Sequence, residues 1–165
     1  DYEFYHNFTH QKSAAMRPLL STLIQANDTT LCIPPEKMPL DMQNYIGQEG
    51  IFNHTYKRQG GGDIYSYIAL RVQKTEDSSI RIQEALPDNL YDFLGGKDIL
   101  PKTQSTEWLE SFPYILQALV NECLNRKIRG IQFIILEIRF HPVDYRPLAY
   151  YICTQKLLEK TLLIS

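Results

Sequence analysis

Ten residues in the last third of the chain, 131–140 (IQFIILEIRF), leave few ways to fold. They are rich in β-branched and aromatic side chains and too short to span a membrane. They therefore read as a strand buried over most of its length, with Glu137 and Arg139 leaning outward. On either side the apolar residues change to helical spacing. Upstream, Phe112, Ile115, Leu116, Leu119, Val120, Cys123 and Leu124 form one stripe on a helix that stops at Arg129 and Gly130. Downstream, after a break at His141, Pro142, Val143 and Asp144, a second helix is predicted from Leu148, Tyr151, Ile152, Leu158 and Leu162. Asp144 is its expected N-cap, and Pro147 falls in its first turn. Two helices flanking one buried strand, over residues 108–163, form the smallest scaffold of a layered helix-and-sheet domain.

The sheet that such a strand requires is sought upstream. Residues 50–59 and 63–73 are two extended runs separated by Gly60, Gly61 and Gly62, a hairpin signal, with Ile64, Ile68, Leu70 and Val72 on the core side. A polar turn over residues 75–79 leads to a third, shorter strand at 80–84. Residues 86–104 contain Pro87, Gly95, Gly96 and Pro101 and have little period, which predicts a long loop crossing from sheet to helix. Ahead of the hairpin, residues 18–26 suit a short helix and residues 30–33 a brief strand. Pro34, Pro35 and Pro39 then make 34–47 a stiff connector. The expected division is an N-terminal accessory segment, 1–47, and a domain over 48–165.

With 165 residues the chain is long enough for one domain with a real core, and 44% apolar against 22% charged residues excludes disorder as a global description. A net charge of −2 gives no overall attraction to nucleic acid or anionic lipid, so any such contact must be local. Cys32, Cys123 and Cys153 are widely spaced and odd in number, and two lie on predicted apolar helix faces. Buried free thiols and a reducing, cytoplasmic setting are the expectation. Three N-x-T sequons, at Asn7, Asn27 and Asn53, stand against it. No apolar run reaches the roughly 18 residues of a membrane span.

Few residues nominate themselves for chemistry. Lys57, Arg58, Gln59, Gly60, Gly61, Gly62 and Asp63 put two cations before a glycine turn, where the backbone can approach a bulky partner and the cations can meet phosphate oxygens. The plainer reading is a solvated hairpin turn. His141 stands where the strand meets the last helix and offers an imidazole to a base or phosphate; the plainer reading is a capping turn around Asp144. His6 and His10 have the spacing of a metal pair but no further ligand nearby, and Arg126, Lys127 and Arg129 suit a helix C-terminus. Gly95, Gly96 and Lys97 lack the rest of a phosphate-binding loop, and no nucleophile or metalloprotease motif is present. No catalytic residue, metal or cofactor is expected, and the chain is not expected to be an enzyme.

The order of these parts resembles domain IV of elongation factor G and of the related tetracycline-resistance ribosomal protection proteins, over about residues 48–163. The likeness is carried by the run from Tyr56 through the basic pair and glycine turn to Tyr65, then Phe93, Gly95, Gly96, Pro101 and Pro113. The final strand completes it by entering His141, Pro142, Val143 and Asp144, with Ala149 following. The resemblance implies an α+β fold of the ribosomal protein S5 domain 2 type: a four-stranded sheet, two helices on one face and a βαβ crossover of the rare left hand. It also implies a ribosome-binding module whose tip loops, residues 59–63 and 141–143, reach toward the decoding centre, near small-subunit rRNA, tRNA and mRNA. Lys57, Arg58, Gln59, Gly60, Gly61, Gly62 and His141 would contact nucleic acid. GTP hydrolysis in such factors would lie in a part outside this chain. The alternative is a protein-interaction or scaffold domain that keeps the fold without RNA binding and uses Tyr65 and Tyr67 as its contact surface.

Overall fold

A computed structural model describes residues 30–60, 62–91 and 99–162. The predicted helix at 18–26, the His6/His10 pair, the sequons at Asn7 and Asn27, Gly61, and the Phe93 to Lys97 region lie outside the described residues. The strands are β1 (Thr30–Ile33), β2 (Gln43–Asn44), β3 (Gly50–Arg58), β4 (Ile64–Lys74), β5 (Ile80–Glu84), β6 (Asn89–Tyr91), β7 (Ile99–Pro101), β8 (Ile128–Arg129) and β9 (Ile131–Arg139). Among the described residues the α-helices are α1 (Thr106–Arg126) and α2 (Leu148–Thr161). The architecture is mixed α+β. A five-stranded sheet runs in the order β1-β5-β9-β4-β3, antiparallel except where β5 lies parallel to β9, and the connection between those two strands contains α1.

The strand predicted at 131–140 is the central strand of this sheet. Its inward residues Ile131, Phe133 and Ile135 have no exposure at all, and they meet Ile68, Leu70 and Val72 of β4 in one core. Ile115, Leu119 and Cys123 of α1 and Tyr150, Cys153 and Leu157 of α2 join that same core, so both described helices cover one face of the sheet. No helix among the described residues is long and apolar enough to cross a membrane.

Four corrections to the sequence reading have simple physical causes. The sheet has five strands where four were expected, because β1 pairs antiparallel with β5; Leu31 and Ile33 point inward, each 4% exposed, while Cys32 between them is exposed. The Pro-rich stretch 34–47 is not a seam: Met38, Met42 and Tyr45 enter the common core, and Gln43 and Asn44 pair with β8. The expected loop 86–104 contains the β6–β7 ladder, pinned by buried Leu86 and Leu90 and by the Lys102 ammonium on Glu84 Oε2 at 2.9 Å. Helix α1 ends at Arg126 rather than at Arg129, because Lys127 adopts φ 58 and the chain turns into β8; its start is capped by Ser105, whose Oγ accepts from Trp108 N–H at 3.2 Å.

Helix α2 also differs. It begins at Leu148, with Pro147 at the N-cap position and no side-chain cap, so Asp144 does not have the role expected of it. The buried face is Ala149, Tyr150, Cys153, Thr154, Leu157 and Leu158, offset from the predicted stripe, and Leu148 is half exposed. Polar groups explain the offset. Tyr150 is buried because its hydroxyl donates to Arg139 O at 2.6 Å, and Ala149 sits over Ser66, whose hydroxyl donates to the Ala149 carbonyl at 3.1 Å.

Candidate nucleic-acid interface

β3 and β4 form a hairpin whose last pair is Arg58 opposite Ile64, leaving residues 59–63 as the turn. Gly60 and Gly62 take φ +86 and +96, and a Cβ on either would meet nothing within 4 Å. These glycines are therefore needed for backbone conformation and not for close packing. Gly60 N–H donates to Asp63 Oδ1 at 2.8 Å, so the one carboxylate in the turn is drawn inward to close it. Lys57, Arg58 and Gln59 are exposed, and Lys57 Nζ lies 5.8 Å from the centre of the Tyr65 ring.

Because β4 runs antiparallel to β9, the beginning of one strand lies beside the end of the other, with Tyr67 opposite Arg139. The chain leaves β9 through Phe140, 2% exposed and packed edge-on against Tyr145, and arrives at His141 beside the hairpin. Tyr65 N–H donates to the Asp144 carbonyl at 3.0 Å, and the rings of Tyr65 and His141 have centroids 6.1 Å apart. Thus the glycine turn and the histidine step, 81 positions apart between Gly60 and His141, meet at one end of the sheet.

The His141 ring shapes its own turn. Its Nδ1 accepts from Val143 N–H at 3.2 Å and from Asp144 N–H at 3.1 Å. With Nδ1 accepting, the ring proton belongs on Nε2, which leaves a donor for a ligand. Asp144 Oδ2 stands 3.5 Å from Nδ1, but in this tautomer that nitrogen has no proton to give it. Arg146, exposed in the same step, donates from its guanidinium to the Tyr145 carbonyl at 2.7 Å. The two loop segments, 57–63 and 141–147, hold three cations, Lys57, Arg58 and Arg146, against the carboxylates of Asp63 and Asp144. Sequence reading missed Arg146, since it lies in a turn without period.

Six of the seven expected contact residues, Lys57, Arg58, Gln59, Gly60, Gly62 and His141, are together at this tip; Gly61 is outside the described residues. Tyr65 and Tyr67 are a different case. Instead of an exposed contact surface they are 8% and 9% exposed, because the Arg139 guanidinium lies 4.2 Å from the Tyr67 ring centre and His141 and Lys57 lie over Tyr65. Burial pushes both phenols above their ordinary pKa, so they remain neutral donors. Arg139 is held in place by Glu137 at 2.9 Å. Among the described residues there is no cluster of three or more His, Cys, Asp or Glu side chains able to hold a metal ion.

No family model matches the chain, and no curated protein matches it. Among solved structures 46 chains match. One, the crystal structure of a protein from Thermus thermophilus, is 16% identical with a TM-score of 0.50, over 72% of this chain and 16% of that one. The likeness is one of fold, and this chain spans about one sixth of the length of that protein.

Proposed function

We propose that this chain is a ribosome-binding module of the elongation factor G domain IV type, with an S5 domain 2-like fold whose β5-to-β9 crossover has the left hand. It acts by shape and local charge, without chemistry of its own. The observation that carries the reading is the hydrogen bond from Tyr65 N–H to Asp144 O, which joins the two loops into one tip. At such a tip Lys57 and Arg58 engage phosphate oxygens, the glycine turn lets the backbone approach RNA closely, and His141 Nε2–H donates to a base or phosphate. Strand order supports the fold assignment: a hairpin, a third strand, a helix, a strand beside the third and a last helix follow one another in the order this family uses. A match over most of this chain but a small part of the Thermus protein is what a fold shared with one module of a longer protein gives.

The test is sedimentation with small ribosomal subunits over a range of salt. Replacing Lys57 and Arg58 with Ala is expected to weaken binding and to lower the slope of log affinity against log salt by about 1–2. Co-sedimentation that neither salt nor the double variant alters would overturn the assignment. A second reading, a protein-interaction domain, draws on a groove of about 880 Å³ on the face of the sheet opposite α1 and α2, between β3, β4 and β9 and the β6–β7 ladder. Its apolar lining includes Ile51, Ala69, Leu90 and Ile99, and it is favoured if subunits do not bind at all.

A further inference from the structure

We propose that Lys156 and Lys160 of α2, with the ring of His54 on β3, form a second phosphate-contacting surface that guides a nucleic-acid strand along the β3 edge away from the tip. It rests on the ribosome-binding reading and adds a site to it. Among the described residues β3 is an edge strand of the sheet, paired with β4 alone. Along it His54, Tyr56 and Arg58 share the face toward α2, with Tyr56 packed against the core between the two basic positions. Arg58 lies four positions along the strand from His54, a distance of about 13 Å. Tip and cradle thus lie on one line, a few nucleotides apart.

The cradle gathers two lysines and a histidine, with Glu159 the one acidic residue of α2 and no ion pair made to it among the described residues. Lys156 and Lys160 are exposed, one helical turn apart and on the same side of α2, where like charges repel. Lys160 Nζ lies 2.8 Å from His54 Nδ1, so the ammonium donates and the ring accepts. Elsewhere Arg81, Lys102, Arg126, Lys127 and Arg139 each meet an acidic side chain; among the described residues Lys156 and Lys160 meet none. Glu159 points about 100° away from Lys160; it stands three residues on from Lys156, on that lysine's side of the helix, without closing to an ion pair. The helix dipole accounts for a lysine in the last turn. It does not account for a histidine ring held against Lys160 and within the field of Lys156, two charges that an anion would relieve together.

Titration gives the surface a signature. Burial first, then the Lys160 and Lys156 charges, hold His54 below its ordinary value of 6.5. These lysines are the charged groups acting on the ring; its β4 partner is Ile68, and the Cys153 thiol bonds to the His54 carbonyl. A phosphate that neutralises the lysines raises the proton affinity of His54, so binding takes up a proton and strengthens as pH falls.

The experiment has two arms. In the first, inorganic phosphate is titrated into the full chain while the His54 ring resonances are followed by NMR. The His54 pKa is expected to rise with phosphate in the wild type and to stay fixed in the Lys156→Gln/Lys160→Gln variant, whose native spectrum checks its folding. A His54 pKa indifferent to phosphate overturns the proposal whether or not ribosomes bind. In the second, the same variant is sedimented with small ribosomal subunits. A salt slope lowered by about 1 or more supports the surface, whereas wild-type binding with an unchanged slope overturns it and leaves the tip assignment standing. If the wild type does not bind subunits, the tip assignment fails and the phosphate titration alone decides.

Discussion

Deleting the His141 ring would leave the N–H groups of Val143 and Asp144 without their shared acceptor. His141→Ala is therefore expected to destabilise the domain by about 1 kcal/mol. His141→Asn, whose carbonyl oxygen can reach the same two N–H groups, is expected to stay within a few tenths of a kcal/mol of wild type. Thermal and urea unfolding of the two variants checks this, and equal losses in both would show that the ring matters for something besides the turn. The pair also separates structure from recognition, since only the imidazole is removed in His141→Asn. At this scale the sequence was partly legible. A histidine and an aspartate three residues apart after a strand predict a turn, but composition does not say which side chain closes it. Cap preference points to Asp144; the structure uses the histidine, because the helix begins three residues later than a cap at Asp144 would require.

Among the elements, those with many repeats of their period were readable. The α1 stripe, the central strand β9 and the hairpin of β3 and β4 all occur where period and turn residues put them, since each repeats its pattern over nine residues or more. Short strands offer too few repeats. β1, with four residues, was visible as a strand but not as a member of the sheet, and the three-residue β6 and β7 were hidden inside a proline- and glycine-bearing stretch. The offset of α2 has another origin: a hydrophobicity pattern counts Leu148 as core and discounts Thr154, whereas hydrogen bonding lets Tyr150 and Thr154 enter. The standing of β1 can be tested. Leu31→Ala is expected to cost about 2–4 kcal/mol in urea unfolding, as for other buried leucines. An accessory strand would lose almost nothing, and a loss below about 0.5 kcal/mol would contradict the shared core.

For the whole molecule, the decisive relation is one that no local pattern contains. The glycine turn and the histidine step are each recognisable alone, but their meeting depends on β4 and β9 being antiparallel neighbours in the sheet. That pairing is long-range, and only the order of parts hinted at it. The sheet also has two very different edges. β3 carries the proposed contacts, and β1 lies four strand spacings away, roughly 19 Å across the sheet. Cys32 projects from that far edge, while Cys123 and Cys153 are enclosed; burial pushes the Cys123 thiol upward and takes Cys153 up to about 11. A thiol reagent is accordingly expected to titrate one group rapidly in the native protein and all three in denaturant. Two fast groups in the native state would mean that a helix face opens. The molecule thus comes with a natural attachment point for a dye, remote from both proposed contact regions, from which the proposed ribosome encounter can be tested without introducing or removing a single residue.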